Sequence, residues 1–469
     1  MFRFSEVMRG VGVRPAAFVA AGLALLTAPG GLAAGEAKRP NIVVLITDDM
    51  GYADLGFNGN RDFPTPRIDA LAAGGVRFSD GYVSGLYCSP TRAGFLTGRY
   101  QQRFGHEWNP SGGPQNGLPK SEETIADRLK AAGYATGLVG KWHLGGVEGL
   151  RPLDRGFDEF FGFLGGAHTY FAEATENVYR GNEVVKEKAY LTDAFAREAV
   201  DFIERHKGAA EPFFLEVAFN AVHTPMDATD DRLARFTSIE DPQRRKYAAM
   251  LTALDEAVGA IVDKVEASGL AEDTLIVYFN DNGGPTMPGT TQNASSNAPF
   301  RGSKRTSLEG GVRVPFVLSW KGKLPAGSVY RKPVIQLDLL PTALAAAGVP
   351  VRPEWKLDGV NLLPFLTGAD AGTPHQDLFW RMGSQAAVRR GDWKLVRYDA
   401  TLDRPGARSN AARVEVTPFR LYNLADDPGE SRDLSSEKPE KVEELLAAWK
   451  AWDAQLAEPL WGPGGRGQD

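Results

Sequence analysis

Residues 86–100 of this chain read LYCSPTRAGFLTGRY and contain the only cysteine among its 469 residues. A lone cysteine cannot form an internal disulfide, so it serves packing, metal binding or reactivity. Pro90 suits the first turn of a helix, where its missing N–H costs nothing. Cys88 is then predicted at a helix N-terminus that favours anions, with Arg92 four residues later on the same side. A small buried hydrophobe near a helix start is the alternative role for Cys88.

The motif from Cys88 to Arg92, followed by LTGR at 96–99, resembles the formylglycine signature C-x-P-S-R…L-T-G-R of type I sulfatases. In that family the cysteine is oxidised enzymatically to an aldehyde, whose hydrate is the nucleophile. Thr91 stands where the family usually has serine, and it keeps the hydroxyl. The resemblance implies that Cys88 becomes 3-oxoalanine (formylglycine), with a formylglycine-generating enzyme as a partner during maturation and Arg92 in the catalytic set.

Two apolar runs, at 41–46 and 274–279, are each followed closely by acidic or amide residues and glycine. Such continuous runs are typical of buried parallel strands, and functional groups gather beyond the carboxyl ends of those strands. A capped turn is the alternative for the first run taken alone. Side by side, the two ends offer oxygen ligands suited to Ca²⁺ or Mg²⁺. The resemblance implies that the divalent ion is held by Asp48, Asp49, Asp281, Asn282 and Cys88 as formylglycine.

Three further strings match motifs of the same family: GKWHLG at 140–145, AVHTP at 221–225 and RGSKRTSLEGGVRVP at 301–315. Without the resemblance, solvated turns or structural roles are the alternatives for their lysines and histidines. The resemblance implies that Lys141 and Lys304 bind the sulfate. It also implies that His143 contacts the formylglycine hydrate and that His223 assists the leaving group. Glu309 and Arg313 are predicted to be structural partners.

The remaining pattern up to residue 363 alternates strands with helices. Strands are predicted at 134–139 and 212–219, and helices at 65–74, 121–132 with Ser121 as its cap, 191–207 and 243–268. Alternation of this kind predicts an α/β fold with a mostly parallel sheet. The resemblance implies the alkaline phosphatase-like α/β/α sandwich.

The alternation stops near Pro364 to Pro374. Short strands at 378–381, 386–389, 393–398 and 419–424, followed by a helix at 439–455, predict a smaller α+β subdomain with an antiparallel sheet and one helix. We therefore predict a sulfatase catalytic domain at 35–370 and a C-terminal subdomain at 371–469.

Residues 1–34 have the pattern of an export signal. Three arginines precede an apolar run at 15–28, and small residues follow it. The run is too short to span a bilayer, although a membrane anchor is the alternative interpretation. The sequence thus predicts an exported protein, periplasmic or secreted, with no stable membrane insertion after signal cleavage.

The composition is balanced, with 53 basic and 59 acidic residues and a net charge of −6. No basic surplus supports nucleic-acid binding, so no nucleic-acid partner is predicted. An anionic substrate must be captured by local cations. Residues 106–109 and 157–171 are predicted to pack in the core or in loops, and a wall of the substrate pocket is the alternative.

These observations predict a sulfuric ester hydrolase, arylsulfatase-like, whose substrate is a sulfated carbohydrate or another sulfated small molecule, aryl sulfates included. Two alternatives remain at this stage. A phosphate or phosphonate ester hydrolase could use the same scaffold, because a metal and cations serve any tetrahedral oxyanion. If Cys88 stays a thiol, the chain could instead be a non-catalytic protein that binds sulfated glycans.

Overall fold

The computed structural model describes residues 38–113, 115–174, 177–404 and 414–463. In these ranges the strands, β1 to β16 in chain order, are Asn41–Thr47, Val76–Phe78, Gly81–Tyr82, Ala135–Lys141, Glu159–Phe163, Val178–Arg180, Glu183–Val185, Phe213–Ala218, Thr274–Asn280, Phe316–Ser319, Ser328–Tyr330, Val334–Ile335, Asp377–Met382, Gln385–Arg390, Trp393–Arg397 and Arg420–Asn423. The α-helices, α1 to α10, are Pro66–Ala73, Cys88–Thr97, Ile125–Ala131, Leu191–His206, Asp230–Leu233, Pro242–Ala267, Glu309–Val312, Leu339–Ala346, Leu363–Leu366 and Pro439–Asp453.

A ten-stranded sheet forms the centre of the molecule, in the order β11-β2-β10-β9-β1-β8-β4-β5-β6-β7. Its five middle strands, β9, β1, β8, β4 and β5, run parallel to one another, whereas β10, β6 and β7 pair antiparallel. The parallel centre means that the carboxyl ends of β9, β1, β8 and β4 lie along one edge of the sheet. All motifs that follow those strands therefore meet there.

Both faces of this sheet are covered by helices, as the continuous apolar runs predict. In β1, Val43 and Leu45 belong to a core shared with α1, α4 and α6, whereas Ile42, Val44 and Ile46 belong to a core shared with α2, α3 and α8. A strand with apolar side chains on both faces needs a helical layer on each side. The predicted α/β/α sandwich with a mostly parallel sheet is confirmed.

Two helix starts differ from the prediction. Helix α2 begins at Cys88 and not at Pro90, so Pro90 occupies the third helical position, still inside the first turn. Helix α3 begins at Ile125 with Thr124 as its cap, three residues beyond the predicted cap Ser121. Thr124 Oγ1 accepts the Asp127 N–H at 3.0 Å, and Asp127 Oδ2 accepts the Thr124 N–H at 2.9 Å. This reciprocal capping box fixes the helix start at Thr124.

A separate four-stranded antiparallel sheet, β13-β14-β15-β16, packs against α10 near the C-terminus, as predicted. Leu445, Trp449 and Trp452 are the buried residues of α10. Trp380 of β13 is fully buried and donates from Nε1 to the carbonyl oxygen of Val83 at 2.7 Å. The described residues from 39 onward belong to one compact unit, and a boundary at residues 370–371 stays a prediction.

His375, in the segment that leads into β13, forms a buried ion pair. Its Nε2 lies 2.7 Å from Oδ1 of Asp338, a fully buried carboxylate on a 3₁₀ turn beside α8. Burial alone would lower the pKa of His375, but the Asp338 carboxylate outweighs it and raises that pKa. The contribution of this pair to the free energy of unfolding is therefore fully present below pH ~6.5, the ordinary pKa of histidine. It is lost as the pH rises through the raised pKa of the folded state.

We expect the His375→Gln variant to lack this pH dependence. In the native protein, the free energy of unfolding should fall by on the order of 1 kcal/mol between pH 6 and pH 9 because of this pair. Urea denaturation of both proteins across that range measures the step. As a control, His206→Gln removes a partly exposed partner of Glu159 and should leave the step in place. An identical pH profile in the native protein and in His375→Gln would contradict the assignment.

No described helix combines the length and the apolar character needed to cross a bilayer. The predicted export signal, residues 1–34, lies outside the described residues.

Candidate active site

The predicted site residues converge at the carboxyl edge of the central sheet. The backbone ladder continues past the strand ends: the N–H of Asp281 donates to Thr47 O at 3.0 Å, and the N–H of Asp48 donates to Ala221 O at 3.0 Å. The residues after β9, β1 and β8 are thus fixed side by side. Lys141 is the last residue of β4, the next strand in the sheet.

Cys88 is the first residue of α2, and all ten residues of that helix are buried. The thiol itself is 1% exposed. Burial raises the pKa of Cys88 to about 11, despite the nearby ammonium groups of Lys141 and Lys304. The helix end was predicted to favour an anion here, but desolvation is the larger effect and keeps the side chain a neutral thiol at pH 7.

Two buried basic residues bind carboxylates at the strand ends. Arg92 donates from Nη2 and Nε to Oδ2 of Asp281, at 2.9 Å and 3.2 Å. Lys141 Nζ lies 2.5 Å from Oδ2 of Asp48, and both side chains are fully buried. Burial alone would raise the pKa of Asp48, but Lys141 and the surrounding cations outweigh it and lower that pKa.

Asp49 is the centre of a second group of contacts. Its Oδ1 accepts hydrogen bonds from Asn282 Nδ2 and from Lys304 Nζ, both at 2.7 Å. Its Oδ2 accepts from Thr291 Oγ1 at 3.1 Å and lies 3.5 Å from His223 Nε2. Lys304 Nζ also lies 3.5 Å from Cys88 Sγ. The ammonium group of Lys304 therefore bridges the carboxylate of Asp49 and the sulfur of Cys88.

The buried oxygens at this edge that accept no hydrogen bond from any described residue include Asp48 Oδ1, Asp281 Oδ1 and Asn282 Oδ1. All three side chains are fully buried, and an unpaired buried oxygen is costly. Burial and the neighbouring Asp48 also raise the pKa of Asp281 to about 7. A hard divalent cation would pair with the free oxygens, because it takes oxygen ligands. Its positive charge would also stabilise the crowded carboxylates in their ionised form. The residues present fit such an ion.

A different grouping is compact enough to share an ion. One ligand atom each from Asp48, Asp49, Cys88 and His223 lie within 4.8 Å of one another. Of the predicted metal ligands, this grouping contains Asp48, Asp49 and Cys88. It adds His223, whose imidazole Nδ1 contacts the carbonyl oxygen of Thr224 and whose Nε2 faces Asp49.

The imidazoles of His143 and His223 both lie at this edge but in different surroundings. His143 Nδ1 is buried and has no hydrogen-bond partner among the described residues. Burial, with Lys141 and Arg92, lowers the pKa of His143 well below its usual range. Burial also lowers the pKa of His223, although Asp49 opposes that effect. Both rings are therefore neutral at pH 7 in this arrangement and able to accept a proton.

Comparison with known proteins identifies the family. The sequence model of the sulfatase family matches residues 40–349. This chain belongs to the sulfatase family. Members of the family are sulfuric ester hydrolases, so this chain is an enzyme of that class.

Similar proteins cover nearly the whole length of this sulfatase. N-acetylgalactosamine-6-sulfatase of Canis lupus familiaris is 36% identical over 462 residues, covering 90% of this chain and 87% of the relative. Arylsulfatase A of Homo sapiens is 35% identical, covering 95% of this chain and 94% of the relative. The crystal structure of Ps i-CgsB in complex with k-i-k-neocarrahexaose superposes with a TM-score of 0.81 at 35% identity, covering 90% and 95% of the two chains.

Left-handed backbone conformations occur at two candidate site residues, Asp49 at φ 59° and His143 at φ 62°, and at Arg305, the neighbour of Lys304, at φ 79°. Such conformations are uncommon outside glycine and are retained where the surrounding structure enforces them. An extended chain at 141–143 would point Lys141 and His143 the same way, but the chain turns at His143 instead. The turn is held by Ser89 Oγ, which donates to the His143 carbonyl oxygen at 2.7 Å.

Residues that the sequence placed in core or loop packing support the first turn of α2. Ser89 Oγ lies 2.7 Å from His106 Nε2, and the Ser89 N–H donates to Asn109 Oδ1 at 3.2 Å. Burial lowers the pKa of His106 to about 3, so its ring is neutral. Thr91 is fully buried, and its hydroxyl donates to Gly85 O at 3.3 Å. The helix end that carries Cys88 is thus fixed by hydrogen bonds.

The polar loop at 285–298 supplies contacts that the sequence did not single out. Thr291 donates to Asp49, and Asn293 Nδ2 donates to Asp49 O at 3.0 Å and to Val222 O at 2.8 Å. Asn280, the last residue of β9, accepts from Thr47 Oγ1 at 2.9 Å. Asn280 was marked in the sequence only by its place at a strand end, and no pattern marked Thr291 or Asn293.

The loop that carries Lys304 is held by the C-terminal sheet. Gln385 Nε2 donates to Arg305 O at 2.7 Å. Glu309, close to the end of the loop, accepts from Lys394 Nζ at 2.8 Å, and its own N–H donates to Glu430 Oε2 at 2.6 Å. Glu309 also pairs with Arg313 at 3.2 Å, which confirms the predicted structural role of both. The C-terminal sheet thereby helps to position Lys304 beside Asp49 and Cys88.

Proposed function

We propose that this sulfatase hydrolyses sulfate esters of carbohydrates, and also aryl sulfates, through a formylglycine hydrate made from Cys88. We further propose a Ca²⁺ ion, or Mg²⁺, held by Asp48, Asp49, Asp281, Asn282 and residue 88. The observation that carries this proposal is the set of three unpaired buried oxygens, Asp48 Oδ1, Asp281 Oδ1 and Asn282 Oδ1, at the strand ends beside Cys88. The family's catalytic signature at Cys88 supports the nucleophile.

The basic groups of the site define the chemistry that its own residues perform. When bound, the cation supplies positive charge that lowers the cost of forming an oxyanion. Lys141 and Lys304 place ammonium groups beside the strand ends, and they attract and neutralise the sulfuryl oxygens. Arg92, on α2 and held by Asp281, adds a third positive charge. These groups hold an anionic ester in a site from which bulk water is largely excluded.

Two imidazoles serve proton transfer in this proposal. His223, neutral in the free site, would take up the proton that the attacking hydroxyl of residue 88 loses and pass it to the departing alcohol oxygen, which otherwise leaves as an alkoxide. His143, whose Nδ1 is unpaired among the described residues, would take the proton of the second hydroxyl of residue 88, so that the C–O bond to sulfate breaks and sulfate leaves. A serine at position 88 offers one hydroxyl only. It therefore lacks the second hydroxyl that drives release.

The burial of Cys88 bears on how formylglycine is made. The side chain is 1% exposed at the base of the folded site. A modifying enzyme cannot reach it there, so the formylglycine-generating enzyme must act on the chain before this region folds. Residues 1–34 are consistent with modification before or during export, and we propose a periplasmic or secreted location.

The relatives support a glycan substrate. One of them is named for a sulfated amino sugar, and Ps i-CgsB was crystallised in complex with a neocarrahexaose. By analogy with these two relatives, we propose that the substrate of this chain is a sulfated carbohydrate.

Addition of metal tests the proposed cation site without reference to activity. After treatment with EDTA, we expect millimolar CaCl₂ or MgCl₂ to raise the melting temperature of the protein. At one hundred times the dissociation constant the gain in stability is about 2.7 kcal/mol. Asp281→Asn, which removes one charge from the ligand set, should show a much smaller rise. Scanning calorimetry measures both shifts.

The control variant is Asp392→Asn, in an exposed turn between β14 and β15. It should keep the full metal-induced rise. Equal shifts in Asp281→Asn and in the native protein would exclude Asp281 from the ligand set. The absence of any shift in the native protein would refute the cation site.

A further inference from the structure

A groove of about 410 Å³ lies directly beside the active site. One wall begins at Thr224, the residue after His223, and the other at Gln292, the residue after Thr291, which donates to Asp49. The groove therefore begins next to His223 and Thr291 in the chain. It is lined by Thr224, Pro225, Met226, Pro242, Gln243, Lys246 and Gln292.

The two walls of the groove are held together in the described structure. Gln243, in the first turn of α6, donates from Nε2 to the carbonyl oxygen of Gln292 at 2.9 Å. The start of α6 is itself fixed, because Asp241 accepts the N–H groups of Gln243 and Arg244 at 2.8 Å and 2.9 Å. The groove is thus preformed, and a ligand need not order its walls.

Lys246 gives the groove its charge. No acidic residue lines the groove, so its lining carries a single positive charge. Arg244, two residues earlier, forms ion pairs with Asp54 and Asp62, both at 2.8 Å. Lys246 has no ion pair among the residues that the structure describes, and it is half-buried. Its ammonium group is therefore available to an anion that enters the groove.

We propose that this groove binds the sugar next to the scissile sulfate, and that Lys246 binds a second sulfate group on the same glycan. The inference rests on the proposed function and narrows its substrate class to multiply sulfated carbohydrates. A lysine is a compact point charge with three donors, so it can bind a tetrahedral oxyanion such as sulfate without a fixed geometry. The two glutamines offer amide groups for sugar hydroxyls.

Inhibition of 4-nitrophenyl sulfate hydrolysis tests this assignment. We compare the inhibition constant of a multiply sulfated carrageenan oligosaccharide with that of galactose 6-sulfate, which carries one sulfate. In the native protein the oligosaccharide should bind more tightly by at least about tenfold, the value of one charge-assisted hydrogen bond. Lys246→Met should lower the ratio of the inhibition constant of galactose 6-sulfate to that of the oligosaccharide by about tenfold. Lys246→Arg should leave most of this ratio unchanged. The native ratio should also shrink in 0.5 M NaCl.

The control is Lys450→Met, at an exposed position on α10, which should retain the native ratio. Calorimetric titration of the same two sugars measures the ratio without turnover. If the native protein shows the expected ratio by calorimetry but does not hydrolyse the aryl sulfate, the result would contradict the proposed function and leave the assignment of Lys246 intact. A ratio that is unchanged by Lys246→Met, or near one in the native protein, would overturn the assignment of Lys246.

Discussion

Replacement of Cys88 by alanine is expected to lower kcat/KM for 4-nitrophenyl sulfate by at least about four orders of magnitude. The reason is that Cys88 is the precursor of the proposed nucleophile, and the loss of a covalent nucleophile removes most of an enzyme's catalysis. Cys88 is buried at the first position of α2, and alanine fits that position with little change in packing. The protein should therefore fold, and steady-state kinetics on protein from a host that makes formylglycine measures the loss.

The matched control is Cys88→Ser. Serine retains one hydroxyl beside Lys304, so it can accept a sulfuryl group, but it lacks the second hydroxyl needed for release. We expect a single, stoichiometric turnover followed by arrest, detectable as a burst of 4-nitrophenol. Steady turnover by Cys88→Ala at more than about one per cent of the native rate would contradict the role of residue 88. Melting temperatures close to the native value would show that both variants are folded.

Removal of the Lys304 ammonium group is expected to have the second largest effect. Lys304 Nζ lies 2.7 Å from Asp49 Oδ1 and 3.5 Å from Cys88 Sγ, so it stands between a carboxylate and the reacting residue. Lys304→Met keeps the length of the side chain but removes its charge. We expect kcat to fall by about 10²- to 10³-fold, as for the loss of one preorganised donor to a developing anion.

Lys323→Met, at an exposed position, is the control for charge removal as such and should retain native kinetics. A structural role alone would lower the melting temperature of Lys304→Met and leave kcat per folded molecule near the native value. That outcome would contradict the contact between Lys304 and the transferred group. Because Gln385 and Lys394 hold the loop that carries Lys304, crystal structures of Lys304→Met and Lys323→Met should show this loop in its native position.

The sequence predicts the strands and the edge of the sheet that carry the site. The runs before Asp48 and Asp281 are buried at every position, as a strand covered on both faces requires. Their parallel pairing then places the two pairs of metal-binding candidates side by side. The predicted catalytic residues lie at that same edge. Their detailed roles remain predictions.

Other features could not be derived from the sequence because they depend on tertiary contacts. The N–H groups that fix the first turn of α2 and the loop of Lys304 find partners far along the chain, such as Asn109 and Glu430. Local pattern carries no information on such partners. The upward shift of the Cys88 pKa is caused by burial. Whether a helix end is buried depends on the elements that pack around it. Thr124 displaced Ser121 as a helix cap because Asp127 completes its capping box.

The most direct test of the central claim is mass spectrometry of the tryptic peptide that spans residues 78–92, from protein made in a host with formylglycine-generating activity. We expect residue 88 to carry the mass of the aldehyde, or of its hydrate, in the active protein. A cysteine thiol at position 88 in protein that turns over sulfate esters, from a host that converts a control sulfatase, would contradict it.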